Sequence, residues 1–202
     1  MCSKWETKYI LEFLRNHTDL VASQSWEDLF QSWWANDSEG SANWHDVLDI
    51  LCSEELGYDL NRDILTNMTT IPCFFFAGII AGELKNIDLN TVKIPSNIQS
   101  IQPNAFYCCA GIRHIIIDEG VKYIEGRAIE EVPTLKSITF PSTLEVGTLA
   151  HGSSIIRSPY PFNPTLLIKV PEKSRLNPSN PFGLTVDELV QGGDDNFKIL
   201  SI

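Results

Sequence analysis

Hydrophobic residues in the middle of the chain recur at a fixed interval, which is the separation between Leu89 and Ile112. The recurring positions are Leu89, Ile112 and Leu135; Val92, Ile115 and Ile138; and Ile94, Ile117 and Phe140. In each copy one residue separates the last two positions, and this alternation predicts a very short strand with both apolar side chains on one side. Because one unit cannot bury its own apolar edge, neighbouring units must stack. The pattern predicts a short solenoid over residues 89–171.

The repeating unit resembles the BspA-type leucine-rich repeat. The closest copies are Ile101-Gln-Pro-Asn-Ala-Phe-Tyr-Cys-Cys-Ala-Gly-Ile112 and Leu135-Lys-Ser-Ile-Thr-Phe-Pro141. The resemblance implies a repeat scaffold that binds other macromolecules. It also puts Cys109 in a position that the family fills with cysteine or a small residue, which implies a packing role. It says little about the function of this chain, because one fold hosts many functions.

Both ends of the repeat region are irregular. An early unit begins at Ile71, which precedes Ile101 by more than one repeat interval, and the strand at Ile168 follows Ile138 by more than one interval as well. Terminal units of repeat proteins are atypical because they cover the open end of the core. The remaining predicted elements are a bulging loop around residues 150–164, a short helix over 185–191 and a last strand over 197–202.

The first third of the chain shows helical periodicity instead. Its clearest apolar stripe follows the spacing of an amphipathic helix and consists of Trp26, Leu29, Phe30, Trp33 and Trp34. A second helix is predicted near Trp44, a third near Trp5 and a short fourth over 61–67. The predicted fold is α+β, with an N-terminal helical bundle followed by a short BspA-like leucine-rich-repeat solenoid with irregular caps. The predicted domains are an acidic helical domain over 1–66, the solenoid over 67–175 and a C-terminal cap over 176–202.

Charge also distinguishes the first third from the rest of the chain. Residues 1–66 hold thirteen acidic and four basic side chains, a formal charge of −9 out of −11 for the whole chain. Such a surface repels phosphate, so we expect no direct binding to nucleic acid. The composition, 43% hydrophobic and 20% charged, is ordinary for a globular protein. Charged residues interrupt the opening segment and no apolar run is long enough to span a bilayer, which predicts a cytoplasmic protein without membrane contact.

No sequence motif points to catalysis, a metal or a cofactor. The five cysteines are an odd number without a C-x-x-C pair, and the four histidines are scattered. The best available pairing is Cys108 or Cys109 with His114, but the repeat puts the cysteines in a turn and implies no acid to orient the histidine. We therefore expect a protein that is not an enzyme and that has no cofactor and no metal site.

Surface side chains are the remaining candidates for function. In each predicted strand the residues between the inward pair face outward, so stacking aligns two columns of side chains. One column is Lys93, Ile116, Thr139 and Lys169, and its neighbour is Thr91, His114, Ser137 and Leu167. Apolar residues among polar ones are typical of surfaces that bind proteins. The alternative is that the N-terminal helices cover this face.

The N-terminal helices supply further candidates. Trp33 and Trp34 point about 100° apart on a helix, so one of them can anchor a partner at the rim while the other is buried. Core packing is the alternative for both. The candidate partner-binding residues, including two carboxylates of the acidic helices, are Trp33, Trp34, Asp46, Asp49, Lys93, His114, Ile116, Thr139 and Lys169.

These observations favour a non-catalytic module that binds a protein partner. In a more specific version, the acidic third mimics nucleic acid and inhibits a host defence protein or another DNA-binding protein, as an inhibitor carried by a phage or mobile element would. The family resemblance supports an alternative, a surface adhesion protein, because many relatives are exported and bind host proteins or cells. An enzyme built on Cys109 and His114 is the third hypothesis.

Overall fold

Four helices precede the sheets in the computed structural model, which describes residues 7–36, 44–80, 84–146, 154–162, 165–172, 174, 184–193 and 196–202. They are α1 (Thr7–Asn16), α2 (Thr18–Ser23), α3 (Trp26–Asn36) and α4 (Trp44–Leu51). A π-helical turn at Leu60–Ile64 and a 3-10 turn at Leu65–Asn67 lead into the repeats. The predicted helices are confirmed where they are described, whereas Trp5 lies outside the described residues. The sequence pattern did not predict α2, because none of its residues is buried and it has no apolar stripe.

Three parallel sheets follow, and successive repeats contribute successive strands to each. The five-stranded sheet runs in the order β2 (Thr91–Ile94), β4 (His114–Ile117), β7 (Ser137–Thr139), β10 (Leu166–Val170) and β12 (Phe197–Ser201). The four-stranded sheet consists of β1 (Thr70–Ile71), β3 (Ser100–Ile101), β5 (Tyr123–Ile124) and β8 (Glu145–Val146). The three-stranded sheet consists of β6 (Ile129–Glu130), β9 (Ile156–Ser158) and β11 (Val190–Gly192), and the short helix α5 (Val186–Leu189) precedes its last strand.

The pairing register confirms the predicted aliphatic columns. Val92 pairs with Ile115, Ile115 with Ile138, and Ile138 with Ile168, each in parallel strands. All four side chains are at most 2% exposed. The last step is longer than the repeat interval and still keeps the register, so the extra residues lie outside the five-stranded sheet.

One prediction about the C-terminal part is wrong, and another is confirmed except for its end. The segment predicted as a bulging loop contains strand β9, whose Ile156 and Ser158 side chains are buried. The predicted helix over 185–191 ends at Leu189, and the following residues form β11 against β9. The two strands approach each other closely at Gly192, where φ is +80° and a Cβ would overlap the carbonyl oxygen of Ser158.

The turns between strands repeat as regularly as the strands do. Asn104 and Arg127 have positive φ angles of 58° and 60°, and Phe74 takes the same conformation one unit earlier. The N–H of Phe74 donates to the carbonyl of Asn104 (3.2 Å), and the N–H of Asn104 donates to that of Arg127 (2.9 Å). The left-handed conformation costs about 1–2 kcal/mol at a residue with a side chain, which these hydrogen bonds between equivalent turns offset.

An aromatic seam, formed by Phe30, Trp44 and Phe75, joins the helices to the first repeat. The ring of Phe75 lies 5.4 Å from that of Phe30 and 5.9 Å from that of Trp44. One cluster of buried residues consequently runs from Ile10 in α1 to Val190 in β11. The helices therefore cover the apolar end of the repeats that would otherwise face water.

Two carboxylates of the helices reinforce this junction. Glu27 Oε1 in α3 accepts hydrogen bonds from the N–H groups of Thr69 (2.6 Å) and Thr70 (3.3 Å), at the start of β1. Asp49 Oδ1 in α4 accepts from the N–H groups of Lys85 (3.0 Å) and Asn86 (2.7 Å). Strand β1 is at the edge of its sheet, so Glu27 satisfies main-chain donors that no neighbouring strand reaches.

The inward and outward sides of one strand give the first testable prediction. Replacing Ile115, which is fully buried, with alanine is expected to lower the free energy of unfolding by about 2–5 kcal/mol, because it leaves a cavity between two paired strands. The adjacent change Ile116→Ala is the control and is expected to stay within about 0.5 kcal/mol of wild type. Urea denaturation measures both, and equal effects would contradict the pairing.

The Glu27 contact gives a second prediction. Glu27→Ala is expected to lower the free energy of unfolding by about 1–3 kcal/mol, because the N–H groups of Thr69 and Thr70 lose a charged acceptor. Asp28→Ala removes a carboxylate from the same turn of α3 without touching β1, so it controls for the helix dipole. Thermal unfolding compares the two variants. Similar losses would mean that Glu27 acts only through the helix.

Candidate partner-binding face

Alternate side chains of the five-stranded sheet form the outer sheet face. Strand pairing places them in two rows. The first row is Thr91, His114, Ser137, Leu167 and Lys198, and the second row is Lys93, Ile116, Thr139, Lys169 and Leu200. The two predicted columns are therefore present in the register, each extended by one residue of β12.

A shallow groove runs over the outer sheet face. Its volume is about 680 Å³, and Lys136 and Thr165 line it together with residues of both rows. Ile116 is 37% exposed and Leu200 is 39% exposed. The described helices therefore do not cover this face, and these two apolar side chains, separated by Thr139 and Lys169, remain open to solvent.

The charged side chains of the outer sheet face are all basic. Among the ten residues of the two rows there are three lysines and no carboxylate. Two acids just beyond β4 are engaged: Asp118 Oδ2 is 3.1 Å from Lys93 Nζ, and the carboxylate of Glu119 accepts hydrogen bonds from Ser142 and Thr143. The main-chain donor at Ser142 is the chief cause of the lowered pKa of Glu119. The face thus combines apolar, hydroxyl and cationic groups.

His114 is held in place within the first row. Its Nδ1 lies 2.8 Å from Ser137 Oγ, the residue paired with it on β7. The hydrogen bond can run in either direction, depending on the tautomer of the ring. Because both partners lie on paired strands, the ring is oriented before any partner arrives, which lowers the entropy lost on binding.

The four candidates on the N-terminal helices do not line the groove. Trp33 is 4% exposed and belongs to the core, whereas Trp34 is half-buried and stacks on Phe74 with ring centroids 5.4 Å apart. Asp49 is engaged at the junction with the repeats, and Asp46 Oδ1 lies 3.8 Å from His45 Nε2. The structure therefore brings together the five candidates of the sheet and leaves the helical ones apart from them.

Two residues of the outer sheet face were not predicted. Lys198 and Leu200 belong to β12, which sequence analysis predicts as a strand without assigning it to a sheet. Their neighbours in β10 are Leu167 and Lys169. The separation between the paired residues of β10 and β12 along the chain matches neither the repeat interval nor the longer step from Ile138 to Ile168. The alternation of apolar residues from Phe197 onward was therefore the only feature of the sequence that indicated this strand.

The cysteine and histidine pairing has no chemical support in the structure. Cys109 is fully buried and its Sγ donates to the carbonyl of Phe76 (2.7 Å), while burial raises the pKa of its thiol. The pKa of the Cys108 thiol is also raised, chiefly by burial and then by its hydrogen bond to Glu131. Nucleophilic catalysis requires the opposite shift. Within the described residues no cluster of His, Cys, Asp or Glu is suited to a metal ion.

Comparison with known proteins locates the repeats. Residues 63–154 match the family model described as BspA type Leucine rich repeat region, in six copies. Neither a curated protein nor a solved structure matches the chain. Proteins of this repeat family are typically non-catalytic and their repeats generally mediate protein–protein interaction or adhesion. Among the described residues, the helices are too short or too polar to cross a bilayer.

The raised thiol pKa values give a third prediction. In the folded protein at neutral pH, Cys109 is expected to react with iodoacetamide at least roughly tenfold more slowly than in the denatured chain, because reaction requires exposure and the thiolate. Mass spectrometry of quenched samples measures the labelling of each cysteine, and the chain in guanidinium chloride is the control. Faster labelling of Cys109 in the folded state than in the denatured chain would support a nucleophilic role for this residue.

Proposed function

Because the chain is a BspA-like leucine-rich-repeat protein over residues 63–154, we propose that it is a non-catalytic interaction module that binds one protein partner through the outer sheet face. In this proposal the repeats form a short solenoid. The observation that supports it most is the set of partly exposed apolar side chains, Ile116, Leu167 and Leu200, among hydroxyls and lysines on paired strands.

Rigidity of the outer sheet face supports this assignment. Its side chains project from a continuous parallel sheet, and their inward neighbours are buried in one core or, in β12, packed against it. A surface fixed in advance loses little conformational entropy on binding. The exposed apolar side chains supply area to bury, and the surrounding hydroxyls and lysines supply orientation, which is the usual division of roles at protein interfaces.

The acidic helices support a second candidate, in which they mimic nucleic acid and occupy a basic groove on a DNA-binding or host defence protein. The charge of −9 over residues 1–66 favours it. However, Glu27 and Asp49 already serve the junction with the repeats.

Adhesion to a protein on a cell surface would use the outer sheet face and differs from the first proposal only in where the partner lies.

A matched pair of variants tests the proposal, after affinity capture from the native source has identified a partner. The double variant Ile116→Gln with Leu167→Gln removes two of the three apolar side chains of the face, whereas Tyr123→Gln changes a residue that is 40% exposed on the four-stranded sheet. The double variant is expected to weaken partner binding roughly tenfold or more and the control less than about twofold, because central apolar contacts dominate interfaces. Isothermal titration calorimetry measures both.

Two outcomes would count against the proposal. Unchanged affinity in the double variant would remove the outer sheet face from the interface. Loss of affinity after replacing exposed acids of the N-terminal third, such as Asp28 in α3 and Glu54 in the turn after α4, would favour nucleic-acid mimicry, and that binding would weaken steeply as salt is raised.

A further inference from the structure

We infer that the outer sheet face recognises an acidic segment of the partner polypeptide, in which carboxylates flank an aliphatic side chain. The inference rests on the proposed function and specifies the chemistry of the partner. Its basis is the charge of this face, which is opposite in sign to the charge of the chain as a whole.

The basic character of the face comes from several side chains, of which one is paired with an acid. The rows contain Lys93, Lys169 and Lys198, and Arg113 and Lys136 directly precede β4 and β7. Within the described part of the chain, Lys136, Lys169 and Lys198 form no ion pair, whereas Lys93 pairs with Asp118. Although the chain carries a net charge of −11, the unpaired lysines of this face fit an acidic ligand.

The spacing along the second row specifies the segment further. Lys93 and Lys169 lie on strands three positions apart, which corresponds to about 14 Å. Between them lie Ile116 and Thr139. An extended chain advances about 3.3 Å per residue, so carboxylates roughly four residues apart would reach both lysines. An aliphatic side chain between those carboxylates would lie over Ile116.

The same features favour a polypeptide over a nucleic acid. The cations within the strands are lysines, whereas bidentate recognition of phosphate generally uses arginine. The net charge of the chain repels a long polyanion, while a short segment meets only the local field of the face. The open Ile116 and Leu200 side chains would gain nothing from a phosphate backbone, but they can be buried by a leucine or isoleucine.

Synthetic peptides test the inference on the intact chain by fluorescence anisotropy. The probe is a labelled peptide with glutamates every fourth residue and leucines between them. Matched peptides replace every glutamate with glutamine or every leucine with serine, and a labelled oligothymidylate of the same length serves as the nucleic-acid probe. The acidic leucine peptide is expected to bind most tightly, roughly tenfold better than either matched peptide, and to weaken as salt is raised.

Charge-neutralising variants locate the binding. Lys93→Gln with Lys169→Gln is expected to weaken the acidic leucine peptide on the order of tenfold. Lys85→Gln with Lys122→Gln changes the net charge equally at exposed sites off the face and is expected to change affinity less than about twofold. Circular dichroism confirms that both variants fold.

Several results would overturn the inference. These are equal binding of the glutamine peptide, equal or tighter binding of oligothymidylate, no binding of the acidic leucine peptide, and equal effects of the two lysine variants. The chain could instead associate with itself. If the variant Lys93→Gln with Lys169→Gln abolished such self-association, the acidic helices of a second copy would be the ligand of this face.

The natural partner separates this inference from the proposed function. Binding that is lost in the Ile116 and Leu167 variant but kept in the Lys93 and Lys169 variant would leave the proposed function intact and overturn the acidic segment. If both variants keep the partner, the proposed function fails as well.

Discussion

Each repeat leaves its own aliphatic residues half-covered until the next repeat pairs with it in register. Val92, Ile115, Ile138 and Ile168 form one continuous inward column because a shift of one residue would turn every apolar side chain outward. The same requirement fixes the opposite side of the sheet. Once the inward column is fixed, the positions of the outward rows are fixed too. Core packing therefore determines the geometry of the outer sheet face but not which side chains occupy it.

The ends of such a stack need a different solution, and the N-terminal helices provide it. The aromatic seam covers the apolar end, while the carboxylates of Glu27 and Asp49 accept hydrogen bonds from main-chain donors of the repeat region. Part of the acidity of the first third therefore has a structural role. An acidic composition alone is a poor guide to partners, since carboxylates that satisfy backbone N–H groups contribute to the same formal charge as those on the free surface.

The regular part of the molecule was predictable because the constant repeat interval makes each contact a copy of its neighbour. The third sheet was not, since Ile129, Ile156 and Val190 pair across unequal intervals. For the same reason, Lys198 and Leu200 escaped the predicted site. On the helices, periodicity indicated that Trp33 and Trp34 face different ways, but only packing against Phe74 and the core distinguishes the rim from the interior. The domain boundaries at residues 66 and 175 stay a prediction.

A net charge of −11 and a basic face coexist because the two act over different distances. At physiological ionic strength charges are screened within about 8 Å, so a ligand in contact with the outer sheet face meets its lysines and little of the distant acids. Before contact, the overall charge still disfavours other polyanions and copies of the chain itself. A local field that attracts and a wider one that repels would together select short acidic segments, and the exposed apolar side chains would then distinguish among them by what they can bury.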